Sequence, residues 1–145
     1  MGSNAFYAMH ENTAMNDAKS AMQETESHLE VFFYRVPKKN RAAIEENLNK
    51  FRPWFKNQGV GLEYYRLGDY YKPMEGMEGL AETLSASKDE DIWAELQHFR
   101  DFKHREQVYA VMMQDKSIEQ LGSEFFGLIT QGKSLVTGGF DRLRA

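Results

Sequence analysis

Alternating apolar positions predict two strands in the first half of the chain. From His28 to Val36 both faces carry apolar residues, and a strand of this kind is covered on both sides. One face carries Leu29, Val31 and Phe33, and the other carries Phe32, Tyr34 and Val36. Pro37 ends the strand because proline offers no N–H to the ladder. The run from Val60 to Leu67 is rich in β-forming residues and predicts a second strand.

Apolar residues at helical spacing predict a helix between these two strands. Its buried stripe consists of Ile44, Leu48, Phe51 and Phe55. Asn40 is placed to cap the start of the helix, and Gly59 is placed to end it. Pro53 lies inside the pattern, and its missing N–H predicts that the helix bends or restarts there.

The end of the chain predicts a second helix and a last strand. Asp101 caps the helix, whose apolar stripe consists of Val108, Val111 and Met112. We expect this helix to break near Asp115 and to resume until the residue before Gly122. Ser134 to Leu143 forms the last strand, in which the pair Gly138-Gly139 predicts a bulge or a close backbone approach.

The stretch from Asp91 to Phe99 fits either a helix or a strand. Ile92, Leu96 and Phe99 have helical spacing, whereas Ile92, Ala94 and Leu96 alternate. A helix that began at Asp91 would merge with the next one and run for about 30 residues, well beyond the usual length. The excessive length of such a merged helix favours a strand, although the spacing of apolar residues alone permits either a helix or a strand.

Composition is typical of a soluble globular protein with one domain, which we assign to residues 28–145. The chain has 145 residues, of which 41% are hydrophobic and 28% are charged. A net charge of −4 argues against a nucleic-acid partner. No apolar run approaches the ~18 residues that a membrane span needs, so no membrane partner is expected. The absence of cysteine and of a signal-peptide pattern predicts a cytoplasmic protein.

Two segments stand apart from this domain. Residues 1–27 form an N-terminal arm rich in Ala, Met, Asn and Ser, and its opening Met1-Gly2-Ser3 is typical of an expression-tag remnant. The spacing of Met15, Ala18 and Met22 permits one short amphipathic helix in this arm. The second segment, residues 70–88, is predicted to be a loop.

Several short motifs resemble a family catalogued as domain of unknown function 1428. They are Val36-Pro37, Arg52-Pro53-Trp54-Phe55 with Gly59 after it, Met112-Met113-Gln114-Asp115, Gly132-Lys133-Ser134 and Thr137-Gly138-Gly139-Phe140. Together they cover about residues 29–143. The family belongs to the dimeric α/β-barrel superfamily, which also contains the antibiotic-biosynthesis-type monooxygenases. The arm 1–27 and the loop 70–88 depart from the family's pattern.

The resemblance implies a ferredoxin-like βαββαβ fold of the α+β class, with a four-stranded antiparallel sheet and two helices on one face. It implies that Asp91 to Phe99 is a strand, and that two copies pair as a homodimer. The family has no established activity. We therefore expect a small-molecule binding or interaction module. The alternative is a cofactor-independent oxygenase or isomerase that acts on an aromatic or polyketide-like compound.

The residues that often carry metal or cofactor chemistry are too few for a site. Glu95-x-x-His98 has the spacing of a di-iron motif on a helix, but on a strand these two side chains point to opposite faces. No metal site is therefore expected, and no cofactor. Trp93 and His104 fit two roles of haem-degrading relatives, but the first strand offers no Asn for the third. His98 and His104 remain candidates for a proton donor at a pocket mouth, or for partly wet structural histidines.

A ligand site is predicted where the first helix crosses the sheet. We expect the face with Leu29, Val31 and Phe33 to lie under the helices, with His98 at the end of its apolar row. The break at Pro53 leaves a gap beside Trp54, and Tyr64 adds a hydroxyl. These residues predict a cleft for a flat apolar or aromatic ligand, bounded by Trp54, Tyr64 and His98. The competing interpretation is ordinary core packing.

The opposite face of the sheet is predicted to form the homodimer. Two helices cover one face only, so Phe32, Tyr34 and Val36 would otherwise be exposed. Burial of about 800 Å² per subunit is typical of a stable pair. These three residues are the predicted dimer interface.

Overall fold

Four strands form one antiparallel sheet in the order β2-β3-β1-β4. In the computed structural model, which describes residues 26–143, the strands are β1 (His28–Pro37), β2 (Gly61–Arg66), β3 (Glu90–Phe99) and β4 (Leu135–Asp141). The central strands β1 and β3 pair along their whole lengths. The predicted ferredoxin-like α+β fold is confirmed, and so is the strand predicted from Asp91 to Phe99.

The helices connect the strands as the βαββαβ order requires. The main helices are α1 (Arg41–Asn57), α3 (Phe102–Met112) and α4 (Lys116–Leu128). A single 3₁₀ turn precedes α1, and the four-residue helix α2 (Leu80–Thr83) lies inside the predicted loop 70–88. Helix α1 packs against α4, and their buried side chains meet those of β1 and β3 in one core.

Side-chain caps fix where α3 and α4 begin. The backbone N–H of His104 donates to Asp101 Oδ1 at 2.7 Å, as predicted for this cap. Asp115 caps α4 in the same way, with the N–H of Ser117 3.0 Å from Oδ1. Asn40 stands at the predicted start of α1, but its Nδ2 donates to the carbonyl of Leu128 at 2.9 Å. This bond ties the start of α1 to the end of α4.

Helix α1 does not restart at Pro53, and helix α4 does not stop before Gly122. Helix α1 runs through Pro53 and ends where predicted, with Gly59 at φ +74°. Helix α4 continues past Gly122 to Leu128. The apolar stripe explains this continuation, because Ile118 and Phe125 lie two turns apart on one buried face. Their packing outweighs the cost of about 1 kcal/mol for a glycine in a helix interior.

The helices cover the opposite face of the sheet from the one predicted. Tyr34 and Val36 are fully buried in the core beneath α1 and α4, and Phe32 packs against them. The row with Leu29, Val31 and Phe33 lies on the other face, which we call the outer face. The prediction was wrong because alternation separates two faces but does not identify the one that receives the helices. Phe32, Tyr34 and Val36 are therefore not available to a second copy.

The ends of the described chain are tied to the sheet. The N–H of Ser27 donates to the carbonyl of Arg100, and the N–H of Arg142 donates to the carbonyl of Ser27, both at 2.9 Å. Apart from Glu26 and Ser27, the predicted arm 1–27 lies outside the described residues. Within residues 26–143, no helix has the length and apolar character that a membrane span requires.

Candidate functional site

The structure does not bring the three predicted ligand residues together. Tyr64 faces the helices, whereas His98 lies on the outer face, with its Nε2 2.5 Å from Glu63 Oε1. The indole Nε1 of Trp54 donates to Asp115 Oδ2 at 2.9 Å and so links α1 to the cap of α4. The predicted cleft between Trp54, Tyr64 and His98 is therefore wrong, and only Tyr64 lies at the site described below.

His104 has a structural role. It is buried, its Nδ1 accepts the backbone N–H of Arg100 at 3.1 Å, and its Nε2 lies 2.8 Å from the carbonyl of Gln58. Since one nitrogen accepts and the other donates, this network assigns the neutral ring with its proton on Nε2. His104 therefore joins α3 to the end of α1.

A cavity of about 590 Å³ lies between the helices and the sheet. This volume falls in the range of small-molecule sites, about 300–1,000 Å³. Its apolar walls include Phe32, Phe51, Phe55, Met112, Phe125 and Phe126. Beside α1 this cavity is bounded by Phe51 and Phe55 and not by Trp54.

Glu95 is a carboxyl group in the wall of this cavity. It lies on β3 between Phe32 of β1 and Tyr64 of β2. Gln97 Nε2 donates to its Oε2 at 2.6 Å, and the Tyr34 hydroxyl donates to its Oε1 at 3.4 Å. Burial raises the pKa of Glu95 from 4.5 to about 7, against the lowering effect of these two hydrogen bonds. The group therefore changes charge near neutral pH.

A hydrogen-bond relay holds this carboxyl in place. The Tyr109 hydroxyl donates to Gln97 Oε1 at 2.6 Å, which turns the amide nitrogen of Gln97 toward Glu95. The Arg105 guanidinium lies over the Tyr109 ring, 4.2 Å from its centroid. The relay thus runs from α3 to β3 and orients Glu95 from one side.

Glu30, a buried carboxylate on β1, has different partners. Arg105 reaches its Oε1 with Nε at 3.1 Å and with Nη2 at 3.0 Å, and His28 Nε2 lies 2.6 Å from its Oε2. A guanidinium therefore balances the charge of Glu30. Among the described residues, none holds a guanidinium or an ammonium group within hydrogen-bonding distance of Glu95. Glu30 therefore bonds to a cation, whereas Glu95 bonds to the neutral donors Gln97 and Tyr34.

Tyrosine hydroxyls complete the polar part of the wall. Tyr34 and Tyr64 line the cavity together with Glu95, and burial raises the pKa of both phenols, so they stay neutral donors. The Arg52 guanidinium lies 4.8 Å from the centroid of the Tyr64 ring. A carboxyl that titrates near pH 7 beside neutral donors in an apolar pocket is an arrangement suited to proton transfer.

Sequence reasoning missed Glu30, Glu95 and Gln97. It treated Glu95 only as half of a metal motif with His98, and the strand does place these two side chains on opposite faces. Within the described part of the chain, no cluster of three or more His, Asp or Glu side chains is placed to hold a metal ion. A signal was present, because Glu30, Glu95 and Gln97 are in phase with buried apolar residues of their strands. Polar residues at such positions mark a wet pocket or a functional site.

Comparison with known proteins gives a family and a distant structure. Residues 27–127 match the family model described as "Protein of unknown function (DUF1428)". Among solved structures, the chain is similar to SnoaB, a cofactor-independent oxygenase from Streptomyces nogalater. The TM-score is 0.48 at 10% sequence identity, and the match covers 82% of this chain and 96% of that one. No match was found among curated proteins.

Proposed function

The chain belongs to the DUF1428 family, a family of proteins of unknown function, and we propose that it binds a small, largely apolar molecule in the cavity. The observation that carries this proposal is the cavity itself, about 590 Å³ in volume, with aromatic walls and a few converging polar groups. Sites of this composition bury most of a ligand's surface and orient it through the polar groups.

The positions of the polar groups indicate what the ligand is like. Glu95, Tyr34 and Tyr64 cluster on the sheet, whereas Phe51, Phe55 and Phe126 come from the helices. A ligand with a flat aromatic body and one oxygen function satisfies both sides, with its oxygen toward the sheet. A strongly charged ligand would find little compensation among these walls.

Two glycines of α4 provide a matched test of this site. Gly122 lines the cavity and Gly127 does not, yet an added Cβ meets no heavy atom within 4 Å at either position. Gly122→Leu should therefore fill part of the cavity, while Gly127→Leu should extend away from it. Both changes replace a helix glycine with leucine and share its gain in helix propensity.

The measurement is a thermal-shift titration with 2-naphthol and 2-tetralone. We expect both compounds to raise the Tm of the wild type and of Gly127→Leu, and to lose most of this effect with Gly122→Leu. Equal shifts in all three proteins would place binding elsewhere. The absence of any shift in the wild type would refute the proposal for flat aromatic ligands.

We further propose that the single domain 28–145 pairs with a second copy through the outer face. Apolar residues continue across three strands of this face, namely Leu29, Val31, Phe33, Ala94, Leu96, Val136 and Phe140. Val136 and Phe140 are 43% and 55% exposed. The four strands are six to ten residues long. At a spacing of about 4.8 Å they span roughly 500 Å² in projection.

Because side chains project from the sheet, the accessible surface of this face is larger than its projected area and approaches the ~800 Å² per partner that stable pairs bury. Arg35 and His98 stand toward the ends of the central strands, and Glu63 lies on the edge strand β2, so the middle of the face is apolar. An apolar centre with a polar rim is typical of protein interfaces. Because this face can meet its own copy about a two-fold axis, a homodimer is the simplest assembly that covers it.

A further inference from the structure

We propose that Glu95 is a catalytic acid–base group that moves a proton on a carbonyl compound bound in the cavity. The inference rests on the proposed binding function and adds a reaction to it. The substrate class is a neutral, largely aromatic ketone with an acidic C–H bond next to its carbonyl. The reaction is enolisation, followed by return of the proton to the same carbon or to a conjugated one.

The geometry carries this assignment because Glu95 is exposed to the cavity but not committed to a cation. Among the other carboxylates of the wall, Glu30 is held by Arg105 and His28, and Glu119 stands on the exposed side of α4. Glu95 also has a fixed orientation, since Gln97 holds one of its oxygens at 2.6 Å. Its other oxygen has the long 3.4 Å contact from Tyr34, which a substrate proton can replace.

The step balances without any co-reactant. The ionised carboxylate of Glu95 takes the α-proton, so that a C–H bond breaks and an O–H bond forms on Glu95. The electron pair of the C–H bond becomes the new C=C bond, and the carbonyl π pair moves to oxygen. The resulting enolate oxygen accepts a hydrogen bond from Tyr64 or Tyr34. The proton on Glu95 exchanges with water, which has access beside the exposed side chains of Met113 and Phe126 in the cavity wall. Glu95 then returns a proton to carbon, and the carbonyl reforms, with the double bond shifted where the substrate is conjugated.

Each group has the property that its role requires. A base that works near pH 7 is most effective when its own pKa lies near that value, and the pKa of Glu95 is raised to about 7 by burial. A neutral hydroxyl in an apolar pocket stabilises a developing oxyanion, as known sites that combine a carboxyl base with tyrosine donors do.

The charge state of Glu95 depends on every element that faces it. Its surroundings contribute Tyr34 and Glu30 from β1, Tyr64 from β2, Arg52 from α1, Arg105 and Tyr109 from α3, and Glu119 from α4. Of these, only Tyr34 bonds directly to the Glu95 carboxyl, and Tyr34 stays neutral because burial raises its pKa. Since none of the charged groups bonds to Glu95, we expect the titration of Glu95 alone, near pH 7, to control the reaction.

The test follows hydrogen–deuterium exchange at the α-carbons of 2-tetralone in D₂O by NMR. We expect the wild type to speed exchange over buffer, with a rate that rises with pH and levels off above about 7, the value to which the pKa of Glu95 is raised. Glu95→Gln should lose about 100-fold or more of this acceleration, as is usual for a removed general base. Glu95→Asp should keep part of it, because it retains a carboxyl.

Glu46→Gln is the control, since Glu46 is an exposed carboxylate of α1 outside the cavity, and it should exchange like the wild type. Exchange at the buffer rate in the wild type would overturn the inference. The Tm shift with 2-tetralone then separates the two proposals. A shift without exchange means that the cavity binds the ketone but does not catalyse, whereas no shift means that binding fails as well. Acceleration that persists unchanged in Glu95→Gln would also overturn the assignment.

Discussion

Among individual residues, Glu95 differs in its partners from Glu30, a buried acid on the same face of the sheet. Glu30 bonds to a guanidinium, whereas Glu95 bonds to an amide and a phenol. Neutral donors stabilise a carboxylate less than a cation does, so burial prevails and raises the pKa of Glu95 to about 7. A position of this kind lowers the stability of the fold at neutral pH and is often found at functional sites.

The pH dependence of stability tests this property without any ligand. Because the pKa of Glu95 rises from 4.5 to about 7 on folding, the folded state binds the extra proton between these values. Stability therefore falls as pH rises through this window and stays lower above it. Glu95→Gln carries no charge and should escape this fall. The difference between its free energy of unfolding and that of the wild type should therefore be up to about 3 kcal/mol more favourable to the variant at pH 8 than at pH 4.5.

Urea unfolding of both proteins at about pH 4.5, 6 and 8 measures this difference. Glu46→Gln, on the exposed side of α1, should follow the wild type at each pH. If the stabilities of Glu95→Gln and wild type differ by the same amount at all three values, Glu95 does not titrate in the window.

The candidate site was predictable in part. Tyr64 was expected at a ligand site because it adds a hydroxyl on the second strand beside the first helix, and it does line the cavity. Trp54 and His98 failed for a physical reason. Trp54 turns toward the cap of α4, and His98 stands one residue out of phase with the face that the helices cover. Side-chain direction of this kind depends on the choice of face, which the spacing of apolar residues leaves open.

At the level of the elements, the glycine pair of strand β4 predicted a packing feature that the structure contains. The pair Gly138-Gly139 indicated a bulge or a close approach, and the structure has the close approach. A Cβ at Gly139 would stand 2.6 Å from Glu30 Oε2 and 3.0 Å from His28 Cε1. Glycine at this position therefore lets β4 pair with β1 beside the buried cluster of Glu30, His28 and Arg105.

Gly139→Ala should thus destabilise the protein by about 1–3 kcal/mol, as overpacking usually does. The added methyl group must displace the Glu30 carboxylate from its hydrogen bonds or push β4 away from β1. Gly127→Ala is the matched control, because a Cβ there meets nothing within 4 Å, and it should be neutral or slightly stabilising. Chemical denaturation of the two variants gives the comparison, and equal stabilities would mean that the sheet absorbs the methyl group without cost.

Most elements were predictable because their signals are local. Asp101, Pro37 and Gly59 end or begin elements through hydrogen bonds and backbone angles that involve neighbouring residues only. The extension of α4 past Gly122 was missed because the local stop signal of glycine competes with the apolar stripe of Ile118 and Phe125. The stripe prevails through a distant contact, since Phe125 packs against Tyr34 with ring centroids 5.0 Å apart. The strand from Asp91 needed the family resemblance, because its short apolar run fits two periods.

For the whole molecule, the choice of face decides which surface can meet a partner. The sequence predicted two apolar faces on β1 and helices for one of them, and both statements agree with the structure. Helix contacts then select the row of Tyr34 and Val36, so the row of Val31 and Phe33 faces outward. Tyr34→Glu, which would be a test of pairing if Tyr34 were exposed, would instead bury a charge and unfold the domain.

A matched pair of valines tests the proposed homodimer. Val136 lies on the outer face of β4 and is 43% exposed, while Val111 lies on α3, away from that face, and is 46% exposed. A glutamate at position 136 would place one charge from each copy in an apolar interface, where its desolvation is not compensated. Val111→Glu adds the same charge at a similar exposure without entering the interface.

By light scattering at micromolar concentration we expect a dimer for wild type and Val111→Glu, and a shift toward monomer for Val136→Glu with unchanged circular dichroism. A monomer mass for the wild type would refute pairing through this face, and a dimer that tolerates Val136→Glu would place the interface elsewhere on the molecule.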